Sequence, residues 1–373
     1  MAFTRLIMTK HINVGPNISL GSPLGFGGAN RHMGCFDSSE GTFWTWGRND
    51  YGALGNGNEQ QMSSPVSVLG GHAFVQVALG LGPSIALKAD GTAWGWGYNG
   101  FGTLGLGDTQ NRSSPVSVLG GGNYSQCAAG EYHMALLAND GSVWCMGNNS
   151  YGQLGVDDQN RRSSPVSVLG GHSFIQIDGG NDHTVGLKAD GTVWTWGYNN
   201  YGQLGNDSTA PVSTPISVLG NHSFIMVSAG EGHNIALKAD GTAWAWGKNI
   251  AGQLGDNSGV SMSSPVSVFG GHVFTYLSAG ENQSYAIKAD GSGWAWGFGS
   301  TGRLGNGATG HKSTPVSILG GHSFAYIAGG GFSGYGYTED GTCWAWGSNT
   351  NAQLGTDNMT NYSSPVSVVR NFS

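Results

Sequence analysis

Charge is scarce in this 373-residue chain: Asp, Glu, Lys and Arg make up 10% of it, against a usual ~25%. Clustered positive charge is scarcer still, with net charge −7 and no basic group larger than the pair Arg161-Arg162. Counterion release onto nucleic acid needs clustered Lys and Arg, so a nucleic-acid partner is excluded. No apolar run approaches the ~18 residues of a membrane helix, which excludes membrane insertion. Helical periodicity of useful length is also missing. The four cysteines form no C-x-x-C pair, and each reads as a small hydrophobe rather than part of a disulfide framework. No G-x-S-x-G, H-E-x-x-H or P-loop string occurs. The reading is therefore non-enzymatic, with no catalytic residue, no metal and no cofactor. Residues 1–15 carry no uninterrupted apolar stretch of the kind a secretory leader needs.

What is present is glycine, tryptophan and repetition. Glycine accounts for 68 residues and tryptophan for 13. The string Gly-Thr/Ser-x-Trp-x-Trp/Met-Gly begins at Gly41, Gly91, Gly141, Gly191, Gly241, Gly291 and Gly341, always 50 residues apart. All tryptophans fall within it, and Met146 fills the remaining Trp position. Prolines 65, 115, 165, 215, 265, 315 and 365 keep the same phase. Each unit reads as four short strands. In the second unit these are Phe74–Ala78, Ser84–Lys88, Thr92–Trp96 and Pro115–Leu119, with Asp90-Gly91 as a tight hairpin turn. Proline at the start of the fourth strand suits a sheet edge.

Seven four-stranded units of this length predict an all-β, seven-bladed β-propeller with four short antiparallel strands per blade. The two Trp of the third strand stand at i and i+2 on one face, with small residues such as Ala93 and Gly95 between and beside them. Bulky packed against small suits blade stacking, so the tryptophans read as core. Residues 24–373 are expected to form the propeller, and residues 1–23 a lead-in or a docking arm. The C-terminal strand Pro365–Val369 is expected to clasp N-terminal strands starting near Leu24, with Pro16–Leu20 as the competing source of that strand.

Candidate recognition residues follow from strand direction. The loop near 81–83 and the long loop near 97–113 lie at one end of each blade. That end gathers Tyr98, Phe101, Tyr151, Tyr198 and Tyr201, together with Glu131, Asp182 and Glu231, as the expected binding residues. Tyrosines on loops over a rigid frame offer large contact area at low entropy cost. The competing reading is that the rings pack their own loops. His133, His183 and His233 keep one phase in three units, where Pro83, Gln283 and Ser333 stand in others, and read as structural hydrogen-bonding groups.

The strings WTWGYNNYGQLG at 194–205 and WAWGKNIAGQLG at 244–255, with GGNDHTVGL at 179–187, resemble the regulator of chromosome condensation repeat family. The resemblance covers nearly the whole chain and implies seven blades. Departures include Gly299 for the loop asparagine and Ala352 for a loop glycine. The founding member of that family is an exchange factor for a nuclear small GTPase, with a basic tail and an inserted wedge. This sequence shows neither, and its near-uniform repeats look more like bacterial or phage-encoded members. The resemblance thus implies a scaffold binding another protein or a subunit of a larger assembly such as a virion, with a glycan as a further open class of partner. Nucleotide exchange on a small GTPase is the alternative. The location expected is cytoplasmic or virion-associated.

Overall fold

A computed structural model describes residues 27–28, 32–36 and 42–369. The expected lead-in or docking arm, and Pro16–Leu20, lie outside the described residues. Among the latter, seven four-stranded antiparallel sheets follow one another along the chain, each in the order first-second-third-fourth. Blade 2 is typical, with strands Phe74–Leu79, Pro83–Lys88, Ala93–Gly97 and Arg112–Ser117. The first strands of successive blades pack around the centre and the fourth strands lie outermost. Among the described residues helix is confined to two single turns, Asp50–Gly52 and Ser300–Gly302. No helix among the described residues is long and apolar enough to cross a membrane.

The blades stack through the second Trp of each motif. Trp46, Trp96, Trp196, Trp246, Trp296 and Trp346 are all essentially fully buried, as is Met146 in the seventh equivalent position. Burying one such ring removes ~150–250 Å² from water, worth roughly 4–6 kcal/mol as an upper bound. The first Trp of each motif departs from the sequence reading, because it is only half-buried. On blade 2, Trp94 lies 4.3 Å from the His72 ring and 4.1 Å from the Lys88 ammonium; Trp194, Trp244 and Trp294 repeat this sandwich. Alternation on one strand face places both rings on the same side, and the inner one reaches the preceding blade, as where Trp96 Nε1 donates to Ala53 O at 2.9 Å.

The fourth strand also differs from expectation. It begins three residues earlier, so Pro115 stands inside it rather than at its start. The ladder explains the tolerance: Gly95 pairs with Val116 and Gly97 with Arg112, and the intervening residues bulge out. A proline there removes no donor that the ladder uses. The outer edge is covered by the long loop of the preceding blade, for example through Gly57 N–H to Ser113 O at 2.8 Å. Such cover protects an edge that would otherwise invite pairing with another chain.

The clasp expected at the termini is not formed among the described residues. The last strand, Tyr362–Ser367, pairs with Cys343–Gly347 of its own sheet, and the first sheet carries its own first strand, Gly27–Gly28. The ring closes instead by the same packing that joins all other blades. Met33, Cys35 and Trp46 pack with Tyr335, Ala345, Leu354 and Val368. Trp46 Nε1 donates to Gln353 O at 2.8 Å, and Asp357 N–H donates to Ser63 O at 3.3 Å. A closing interface of the repeated kind needs no shared strand.

One register shift escaped the 50-residue count. In blade 1, His32 pairs with Gly47, whereas in blade 3 His133 pairs with Gly147. The turn before the third strand is therefore one residue longer in blade 1. Cys35 faces Trp44 as Ala86 faces Trp94, so it corresponds to Ala86 and not to Ile85. All four cysteines are buried.

Candidate functional site

The histidines come first, because they fix the frame beneath the loops. His133 Nε2 lies 2.9 Å from Thr184 Oγ1, whose hydroxyl donates to Gln153 O at 2.9 Å. With that hydroxyl proton committed, His133 must donate from Nε2. His233 to Ser284, whose hydroxyl donates to Gln253 O, follows the same logic; His183 donates to the Asn234 Oδ1 acceptor at 3.0 Å. The longer turn in blade 1 brings His32 into this set, 3.3 Å from Ser84 Oγ. Each pair reaches from one blade to the next. Burial holds these imidazoles neutral, lowering His32 and His183 to about 4 and His133 and His233 to about 3. They serve as inter-blade struts.

Above the struts, the short loops close on the central channel. Glu131 N–H donates to Asn181 O, Asn181 N–H to Glu231 O, and Glu231 N–H to Glu281 O, at 3.0–3.3 Å. This backbone rosette places Glu131, Glu231 and Glu281 at the channel mouth. Lys248 Nζ holds both Glu231 oxygens at 2.9 and 3.0 Å, and Asn282 Nδ2 donates to the same carboxylate at 2.5 Å. Glu281 lies 3.8 Å from the Arg303 guanidinium. Burial, reinforced by neighbouring Glu231, nevertheless pushes the Glu281 carboxyl up to about 7. Asp182 accepts from Gln153 Nε2 at 2.9 Å, and burial raises its pKa.

The aromatic residues expected from the sequence all stand on this face, where their ring contacts form two groups. Tyr98 and Phe101 pack with Tyr51 and Tyr132 at centroid distances of 5.1–5.6 Å. Tyr151 packs on Tyr198 at 4.7 Å, and Tyr198 on Tyr201 at 6.4 Å. Cations cover several of the faces: Arg161 over Phe101, Lys248 over Tyr201, and Arg303 against both Phe298 and Phe332. Tyr132, Phe332 and the stacking arginines were missed by sequence reasoning. A signal existed, since the position before the phase of Pro83, His133, His183, His233, Gln283 and Ser333 holds Gly82, Tyr132, Asp182, Gly232, Asn282 and Phe332, a highly varied column.

A closed ring that holds varied loops above a shared frame is a propeller-type recognition module. A family model described as RCC1-like domain matches residues 24–319, and one described as Regulator of chromosome condensation (RCC1) repeat matches residues 340–372. The chain belongs to the RCC1-like family. Among solved structures, human WBSCR16 is similar at 21% identity and TM-score 0.80, covering 88% of this chain and 94% of that one. Prp20p of Saccharomyces cerevisiae, in a study of its binding to Gsp1p and histones, is 26% identical with TM-score 0.73, covering 82% of this chain and 80% of that one. Yeast RCC1 (Prp20) bound by Kap60 is 19% identical with TM-score 0.79, covering 100% and 91%. Comparison with curated protein sequences gives no match.

Proposed function

We propose that this protein is a non-enzymatic scaffold that binds another protein through its loop face, as a structural or surface component of a larger assembly such as a phage virion. One observation carries the reading. The buried inner Trp recurs in every blade but the third, where Met146 takes its place, and the histidine struts recur in blades 1, 3, 4 and 5, whereas the side chains above them differ from blade to blade. Structural constraint acts alike on every blade, so the variation is where recognition has room to act. Tyr98, Phe101, Tyr151, Tyr198 and Tyr201 supply the contact area, and Glu131 and Asp182 supply negative charge for a partner's basic groups, while Glu231 is held by Lys248.

Of the charged groups at the mouth, Glu231 is already neutralised by Lys248, and Glu281 faces Arg303. Asp182 has a side-chain amide as its hydrogen-bonding neighbour and stands beside the Tyr151–Tyr198 pair. That makes it the carboxylate best placed to meet a partner. Truncating a desolvated tyrosine anchor costs ≥ ~2 kcal/mol of binding, or roughly thirtyfold. The test is Tyr151→Ala and Tyr201→Ala beside Phe298→Ala, read by partner capture from the particle in which the protein resides. Unchanged capture by the first two, with the fold intact, reduces the rings to loop packing.

Nucleotide exchange on a small GTPase is the second reading, favoured by likeness to Prp20p, whose structure was reported with its binding to Gsp1p. A fluorescent-nucleotide release assay separates the two. Accelerated release at catalytic protein concentrations replaces the scaffold reading.

A further inference from the structure

We infer that the cleft between blades 1 and 2 on the loop face is a binding site for a neutral saccharide. The inference rests on the loop face being the recognition face, but not on the identity of any protein partner. The cleft encloses about 290 Å³ and is lined by His32, Arg48, Asp50, Leu81 and Gly82, together with the ring cluster of Tyr51, Tyr98, Phe101 and Tyr132. Small-molecule sites run from ~300 Å³ upward, so this one suits a ligand of one or two sugar rings.

Its chemistry narrows the class. The four rings meet edge to face, so they cannot all shield one another's faces; Tyr51 remains 47% exposed. An aromatic face is electron-rich and attracts the weakly positive C–H bonds on the flat side of a pyranose. At the rim, Arg48 and Asp50 form an ion pair, each more than a third exposed. Together they offer adjacent donors and acceptors, the pattern that vicinal hydroxyls require.

Net charge excludes the main competitors. Among the lining side chains the guanidinium and carboxylate cancel and the buried His32 imidazole is neutral at pH 7, while the nearby Arg161 cation is stacked on the Phe101 face. A phosphate or an ammonium group would have to break the ion pair and leave one member uncompensated. A neutral polyol with one apolar face inserts its hydroxyls without disturbing that balance. Between blades 3 and 4 the rings recur as Tyr151, Tyr198 and Tyr201, but Asn148 and Ser150 stand where Arg48 and Asp50 form the ion pair; in blade 5 Tyr98 corresponds to Lys248, which is tied to Glu231.

The experiment is ligand-observed saturation-transfer NMR with glucose, galactose, mannose, N-acetylglucosamine and their disaccharides at up to ~10 mM, the range for single weak sugar contacts. At least one is expected to bind. Tyr98→Ala and Asp50→Asn should each weaken it at least tenfold, while Phe298→Ala leaves it unchanged. Asp50→Asn replaces an exposed side chain, so it decides the matter even where Tyr98→Ala disturbs folding. Absence of binding across the panel, or binding insensitive to Asp50→Asn, overturns the inference. Partner capture sensitive to Tyr151→Ala would still stand in either case, so the two failures are distinguishable.

Discussion

Replacing Ala352 by glycine should stabilise the ring, and the gain should appear at the seam between blades 7 and 1. Ala352 has φ 56°, while its equivalents are Gly52, Gly102, Gly152, Gly202, Gly252 and Gly302, with φ between 75° and 84°. A side chain in the left-handed region costs about 1–2 kcal/mol, and glycine there loses about 0.5–1 kcal/mol in chain entropy, leaving a net gain of about 0.5–1 kcal/mol. A Cβ at the equivalent glycines would also press on the outer strand of the next blade; at Gly152 it would meet Ser213 Cα at 2.5 Å. At the seam the alanine methyl occupies that position, and the neighbouring edge bond from Asp357 N–H to Ser63 O spans 3.3 Å. The six equivalent bonds span 2.7–3.0 Å. Ala352→Gly should therefore raise the urea midpoint and slow hydrogen exchange at the Asp357 amide, the local reporter. Gly152→Ala should do the reverse at its own interface. An Ala352→Gly protein that is no more stable and exchanges Asp357 at the original rate would refute the argument.

Other outcomes follow from the same contacts. His183→Ala should cost about 2–4 kcal/mol, measured by urea unfolding, because it opens a buried cavity and strands the Asn234 oxygen. Folded-state pKa values of about 3–4 for His32, His133, His183 and His233 lie below the ordinary 6.5, so the unfolded chain binds more protons. Stability is then fully present above pH 6.5 and falls as pH drops toward 4, by about 1.4 kcal/mol per pH unit per titrating site. Glu281 acts oppositely: its folded pKa of about 7 exceeds the ordinary 4.5, so its contribution is lost as pH rises from 4.5 to 7. Glu281→Gln should remove that opposing limb and steepen the rise in stability with pH, read from urea midpoints between pH 5 and pH 7. Gly299→Asn, which restores the repeat's usual residue, should destabilise in a thermal melt, because a Cβ there runs into the Gly310 carbonyl.

Much of the fold was legible because one signal, the Trp motif, recurs without drift and marks the third strand of every blade. Strand content and direction followed from it. The misreadings share a cause: a period fixed by one strand says nothing about changes elsewhere in the unit. The extra residue in blade 1 falls before the third strand, so it leaves the motif spacing untouched while moving His32 and Cys35 by one position. Pro115 read as a strand start because an isolated sequence shows no bulge. The clasp was inferred from where the units open and close along the chain, whereas the seam is made by Trp46 and Leu354 as any other interface is.

The candidate site divides along similar lines. Rings and carboxylates were visible as columns of the repeat, because each column holds one place on each blade. Their partners were not, because those come from other columns on neighbouring blades. Arg161 lies 60 residues from Phe101, and Arg303 reaches back to Glu281 and forward to Phe332. Column-by-column reading treats Lys248 as a gap in a tyrosine series, yet in space it neutralises Glu231 and covers Tyr201. This changes what variation around the ring means. A lost aromatic is not simply a thinner patch, since a cation in its place satisfies a carboxylate internally and withdraws both from any partner. The proposed recognition surface therefore narrows to places where a ring or carboxylate is not tied to one of the protein's own cations. Those places are the Tyr151–Tyr198 pair beside Asp182 and the cleft in which Tyr51 and Tyr98 stand.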